Sequence, residues 1–151
     1  MGYLLIAHDF TITDYRDNSS KFGVVKVHCL LICRTCPRDA RSLRLPCNLL
    51  ATRLSAIAQR KGVPVLRVNC LGACLEPCAI AIDSTGKQRM RFSGLTPNDE
   101  PAIEDLLSLC QQSSDGYIDL QAIPASLRGA LSACSPAMRK PPLANPRNVK
   151  S

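Results

Sequence analysis

The sequence predicts an α/β fold, a four-stranded mixed sheet with helices, in the order β-α-β-loop-β-β-α. Three observations predict it. A β-branched apolar run, Val24 to Ile32, has the length and character of a buried strand. Apolar residues Cys47, Leu50, Leu54, Ile57 and Ala58 then recur at helical spacing. A short apolar run, 79–82, and a second short strand, Gln88 to Phe92, flank the turn Ser84-Thr85-Gly86-Lys87 and read as a hairpin.

Each element follows from its residues. Residues 1–23 show no clear period and read as an N-terminal extension. The first strand ends at Cys33 and leads into Cys33-Arg34-Thr35-Cys36-Pro37 and a basic loop. Pro46 suits the first turn of a helix, where its missing N–H has no helical partner to lose. Gly62 closes that helix just after Gln59-Arg60-Lys61, whose charge suits the carbonyl end. Val63 to Val68 is a second strand, and Pro64 confines it to an edge or makes Pro64 a first position. Thr96-Pro97-Asn98-Asp99-Glu100 opens a last helix, lined on one side by Ile103, Leu106, Leu107 and Cys110 and stopped at Asp115-Gly116. A short amphipathic piece from Ile123 to Leu131 follows, then a disordered Pro-rich end from Pro136. The predicted domain therefore spans 24–120, with a C-terminal extension and basic tail over 121–151. A strand, crossover helix and strand give a right-handed parallel pair, and an antiparallel hairpin completes a thioredoxin-like arrangement.

Composition fits one globular domain: 151 residues, 46% hydrophobic and 21% charged. With three Phe, three Tyr and no Trp, the core must come from aliphatic side chains. The net charge of +7 is uneven, with eight Arg/Lys against one acid over 34–67 and five against none over 125–151. The basic tail reads as a solvated segment or as a docking surface for an acidic partner. Gly2 to Ala7 is too short for the apolar region of a secretory signal, and no apolar run has membrane-helix length, so the expected location is cytoplasmic and no membrane partner is expected. Nucleic acid is not expected either, because the basic chain lacks an aromatic stacking platform.

Nine cysteines are the outlying feature, and an odd number cannot all pair within one chain. In a reducing compartment, clustered thiols serve metals or redox chemistry more often than structure. Two clusters stand just after predicted strands: Cys33-x2-Cys36, and Cys70-x3-Cys74-x3-Cys78. If the strands are parallel neighbours, both clusters emerge at one end of the sheet, as ligands of one metal centre must. Arg34, Arg38, Arg41 and Arg44 crowd the first cluster, favour thiolates and would raise the reduction potential of an anionic centre. Cys29 and Cys110 suit buried apolar positions, His28 reads as a strand histidine, and Cys134 receives no role. Cys47 suits packing, yet its place in the first helical turn also favours a thiolate.

The stretch from Cys70-Leu71-Gly72-Ala73-Cys74 through Asp83-Ser84-Thr85-Gly86 and Gly94-Leu95-Thr96-Pro97-Asn98-Asp99 to Leu107 resembles the thioredoxin-like [2Fe-2S] ferredoxins. With Cys33-x2-Cys36, Cys78 and Asp115-Gly116-Tyr117, the chain looks closer still to a bacterial family of uncharacterised, predicted metal-binding proteins related to those ferredoxins. The resemblance covers roughly 24–120. It implies a cluster-binding electron carrier rather than a catalyst, with Cys33, Cys36, Cys70 and Cys74 as metal ligands and Cys78 as a fifth family cysteine. In the better-known ferredoxin branch the second ligand lies near the start of the first helix, where this chain has Cys47, so Cys36 and Cys47 compete for one place. The expected cofactor is a [2Fe-2S] cluster, and the expected partner is a redox protein with an acidic face; a homodimer stays open. A zinc-binding or metal-delivery module is the alternative, and a thiol–disulfide oxidoreductase built on Cys33-x2-Cys36 is a second. No serine–histidine–acid order, phosphate loop or H-E-x-x-H pattern points to another chemistry.

Overall fold

The computed structural model describes residues 28–37, 41–83, 88–113 and 117–136. Their strands are β1 (Cys29–Cys33), β2 (Val65–Val68), β3 (Ile80–Asp83), β4 (Arg89–Phe92) and β5 (Leu131–Ser135). The helices are α1 (Arg44–Arg60), α2 (Glu100–Gln112) and the single turn α3 (Ala125–Arg128). Short 3-10 turns, Arg41–Leu43 and Pro97–Asp99, precede α1 and α2.

The sheet is mixed and open, in the order β2-β1-β3-β4-β5. β1 and β2 are parallel, with Cys33 opposite Val68; every other pair is antiparallel. The crossover from β1 to β2 runs through α1, as the helical spacing predicts. Gly62 adopts φ +65°, and its N–H reaches the Gln59 carbonyl at 3.1 Å, which is how a glycine turns the chain out of a helix. Pro64 precedes edge strand β2, and its carbonyl accepts the Leu30 N–H at 2.9 Å, so its missing donor costs no ladder bond. At the start of α2 the Asp99 carboxylate accepts from the Thr96 N–H (2.7 Å) and hydroxyl (2.9 Å).

The sheet has five strands, not the four expected. The sequence reads Ile123 to Leu131 as one short amphipathic piece. The helix stops at Gly129, the Ala130 carbonyl accepts the Ser93 N–H at 2.9 Å, and the chain then runs out along β4 as β5. The packed core also continues past residue 120: Ile123 and Leu127 lie in it, with Ile118 just before them. The start of the expected first strand (24–27), the hairpin turn (84–87), the stop at Asp115-Gly116 and the chain beyond Pro136 fall outside the described residues.

Alternation along the strands divides the interior into two layers. Leu30, Ile32, Ile80, Ile82, Met90 and Phe92 meet α1 and α2 in the main core. Cys29, Leu31, Cys33, Ala79 and Ala81 face the other way and form a smaller cluster with Cys36 and Leu71. Among the described residues no helix is long and apolar enough to cross a membrane.

Candidate metal centre

Because β1 and β2 are parallel, their C-terminal ends share one edge of the molecule. Cys33 is the last residue of β1, and Cys70 follows β2 by two positions. The two cysteine-bearing turns are joined there. The Arg34 N–H donates to the Val68 carbonyl at 2.7 Å, the Thr35 hydroxyl donates to the Asn69 carbonyl, and the Cys33 thiol lies 3.9 Å from that same carbonyl.

Within each turn the thiols are paired. The Cys33 and Cys36 thiols act on each other's ionisation, and both are nearly shielded from solvent at 7% and 9% exposure. Cys70 and Cys74 are exposed, with Sγ···Sγ at 3.7 Å. The Gly72 N–H donates to Cys70 Sγ at 3.2 Å. Gly72 has φ +73°, a conformation an L side chain rarely adopts, and it makes the tight turn between Cys70 and Cys74.

The first pair is electrostatically asymmetric. Burial alone would raise the Cys33 thiol, but hydrogen bonding with the Thr35 and Cys36 side chains and from the backbone amides of Leu71 and Thr35 outweighs it and leaves Cys33 below its ordinary value. Cys36 is pushed up to about 12, first by burial, then by its hydrogen bond and charge interaction with Cys33, with a further contribution from Cys74. The two pairs therefore sense each other: Leu71 of the second turn reaches Cys33, and the Cys74 charge acts on Cys36.

Cys78, the fifth candidate, stands apart from these four. It forms a disulfide with Cys47, Cα–Cα 5.4 Å, in the helix-side core. Pairing takes Cys47 out of competition with Cys36 in this state, since a disulfide sulfur offers no thiolate. Among the described residues no three His, Cys, Asp or Glu side chains already converge as ligands of one ion. Of the arginines expected around the first cluster, Arg34, Arg41 and Arg44 are exposed and Arg38 lies outside the described residues. Cys29 and Cys110 are buried as packing residues, His28 is buried just before β1, and Cys134 is exposed on β5.

One cation was not foreseen. Arg91 of β4 donates from NH1 to the Leu71 carbonyl at 2.7 Å and from Nε to the Ser132 hydroxyl at 3.1 Å. It sits 17 residues beyond Cys74 in the chain, on a strand whose alternation gave no hint of a role at the cysteine turn.

Fold and site together define a small α/β protein that carries two thiol pairs at one end of a mixed sheet. The chain belongs to the family described as "Protein of unknown function (DUF1636)", which it matches over residues 30–137. No curated protein and no solved structure matches it.

Proposed function

We propose that this protein is a ferredoxin-like electron carrier that holds a [2Fe-2S] cluster through Cys33, Cys36, Cys70 and Cys74. The supporting observation is the pairing of the thiols on turns that follow two parallel strands. Metal–thiolate bonds of about 2.3 Å in tetrahedral geometry put two sulfurs on one metal about 3.8 Å apart. Cys70 and Cys74 stand 3.7 Å apart. A binuclear centre asks for two such pairs, each on its own metal, whereas a single zinc ion asks four sulfurs to meet at one point. The donor set suits thiophilic metal, the lowered Cys33 supplies thiolate, and the N–H groups of Gly72 and Leu71 support charge on Cys70 and Cys33. When bound, such a cluster supplies one-electron storage.

The chain's own residues then have three tasks. The turns hold the sulfurs, the apolar cluster of Leu31, Leu71, Ala79 and Ala81 keeps water from Cys33 and Cys36, and the exposed Cys70–Cys74 side leaves a short path to a partner. Leu75 is 99% exposed on the same turn, and Arg34, Arg41 and Arg44 present positive charge, a surface suited to a redox protein with an acidic face. In this reading the order of the first four strands is thioredoxin-like, and the protein carries electrons without being a catalyst itself. A reducing, cytoplasmic setting accords with seven of the nine cysteines lying outside the disulfide.

The oxidoreductase reading has less support. Among the described residues the helical turn that follows Cys36 in the chain is Arg41–Leu43, so no described helix begins at the Cys33-x2-Cys36 motif itself to activate Cys33. The test is anaerobic purification and reconstitution of the full chain. A brown protein with sulfur-to-iron absorption, equal iron and sulfide, and a paramagnetic signal on reduction is the expected result. A colourless protein with one tightly held zinc overturns the proposal in favour of a zinc module.

A further inference from the structure

The peptide unit between Leu71 and Gly72 lies between the two thiol pairs. Its N–H, on Gly72, donates to Cys70 Sγ at 3.2 Å. Its carbonyl, on Leu71, accepts from Arg91 NH1 at 2.7 Å. The neighbouring Leu71 N–H supports Cys33, and the Leu71 side chain is buried in the cluster under Cys33 and Cys36. A peptide is planar, so fixing the direction of its carbonyl fixes the direction of its N–H. A cation on the carbonyl also polarises the unit and strengthens the bond its N–H makes. We infer that Arg91 is a positioning residue for the metal centre: it orients the Leu71–Gly72 peptide so that the N–H supports the Cys70 sulfur when that sulfur carries metal.

Three features of the structure converge on this role. Arg91 is itself braced, because its Nε donates to the Ser132 hydroxyl on β5, which in turn donates to the Arg91 carbonyl at 3.2 Å. Arg91 therefore reaches the turn while held by a second bond to the neighbouring strand, at a place where the β4–β5 register shifts between Arg91 and Phe92. The turn is shaped to receive it: a Cβ at Gly72 would stand 3.1 Å from Arg91 NH1, tighter than side chains ordinarily pack. Finally, the interaction is specific in its geometry, since one guanidinium bridges Leu71 of the cysteine turn and Ser132 of β5 with two different nitrogens. A lysine has one nitrogen and can keep the contact to Leu71 only by giving up the brace.

This inference rests on the metal-centre reading above, and the experiment separates their failures. Full-length, metal-free protein is titrated anaerobically with Co2+, and sulfur-to-cobalt charge-transfer absorption is recorded for the wild type and for the R91M, R91K and S132A variants. R91M should bind Co2+ roughly 10–100-fold more weakly, the range found when groups that orient metal ligands are removed. Its charge-transfer band should move to lower energy, because a thiolate that loses an N–H donor gives up electrons more readily. R91K should recover part of the affinity, and S132A should keep the wild-type band. Wild-type affinity and an unshifted band in R91M overturn the role of Arg91. An equal loss in S132A and R91M, with no band shift in either, overturns it in favour of simple β4–β5 packing. A wild-type chain that shows no thiolate-to-cobalt absorption overturns the metal-centre reading itself.

Discussion

Cys33 and Cys36 are buried to nearly the same degree, yet their thiols move in opposite directions. Cys33 is favoured as thiolate by hydrogen bonding with Thr35, Cys36 and the Leu71 amide, while Cys36 meets burial first and then the hydrogen bonding and charge of Cys33. Equal shielding makes the two a controlled comparison of thiolate content. In metal-free protein near pH 8, iodoacetamide should label Cys33 well before Cys36, read by peptide mass spectrometry; labelling at equal rates would remove the asymmetry. At this scale the sequence was informative about residue type and spacing. Cysteines three and four residues apart, placed just after strands, already point to two thiol-bearing turns at one end of the sheet. Arg91 was not legible. Its contact depends on β4 lying across β3 and on the side of the strand it faces, and neither is encoded near the cysteines. The Cys47–Cys78 pairing was likewise hidden, since spacing says nothing about which thiols a helix and a turn bring within bonding distance.

Among the elements, α1, α2 and the parallel pair were legible because each carries a strong local signal: Pro46 and Gly62 at the ends of a helical apolar stripe, Thr96 and Asp99 at a helix entry, β-branched runs in the strands. β5 carried none. Leu131-Ser132-Ala133-Cys134-Ser135 has no β-branched residue, and its one large side chain continues the helical spacing of Ile123 and Leu127. Its pairing comes from the sheet, where Met90 stands opposite Cys134 and Phe92 opposite Leu131. The segment before it is held by Arg128, which donates to the carbonyls of Ile123 (3.0 Å) and Gln121 (2.6 Å). Leu127 is fully buried at the centre of this segment. Leu127→Ala should therefore lower unfolding free energy by about 2–5 kcal/mol in a denaturant titration, as for other large-to-small core changes. A cost below about 0.5 kcal/mol, the size of a surface substitution, would show that the segment is not part of the core.

For the molecule as a whole, the division of the sheet into a helix-packed face and a thiol-bearing face predicts a pH response. On the thiol face Cys29 is raised from its ordinary 9.0 to about 11, first by burial and then by Asp83 opposite it on β3. A raised thiol binds its proton more tightly when folded, so its contribution to stability is complete below about pH 9 and is lost as pH rises through about 11. Cys36, pushed up to about 12, acts in the same direction, and Cys33, lowered, opposes it. The melting temperature of metal-free protein should fall between about pH 9 and 11, and the fall should be shallower in Cys29→Ala. An identical slope in that variant would show that Cys29 does not titrate as its surroundings require.

The central claim is that Cys33, Cys36, Cys70 and Cys74, and not the disulfide partners Cys47 and Cys78, hold a metal centre. Its most direct test is the iron and acid-labile sulfide content of six single Cys→Ser variants after anaerobic reconstitution. The four site variants should each lose most of both, while C47S and C78S keep wild-type content. Retention of iron and sulfide in C33S or C36S, or their loss in C47S, would contradict the account.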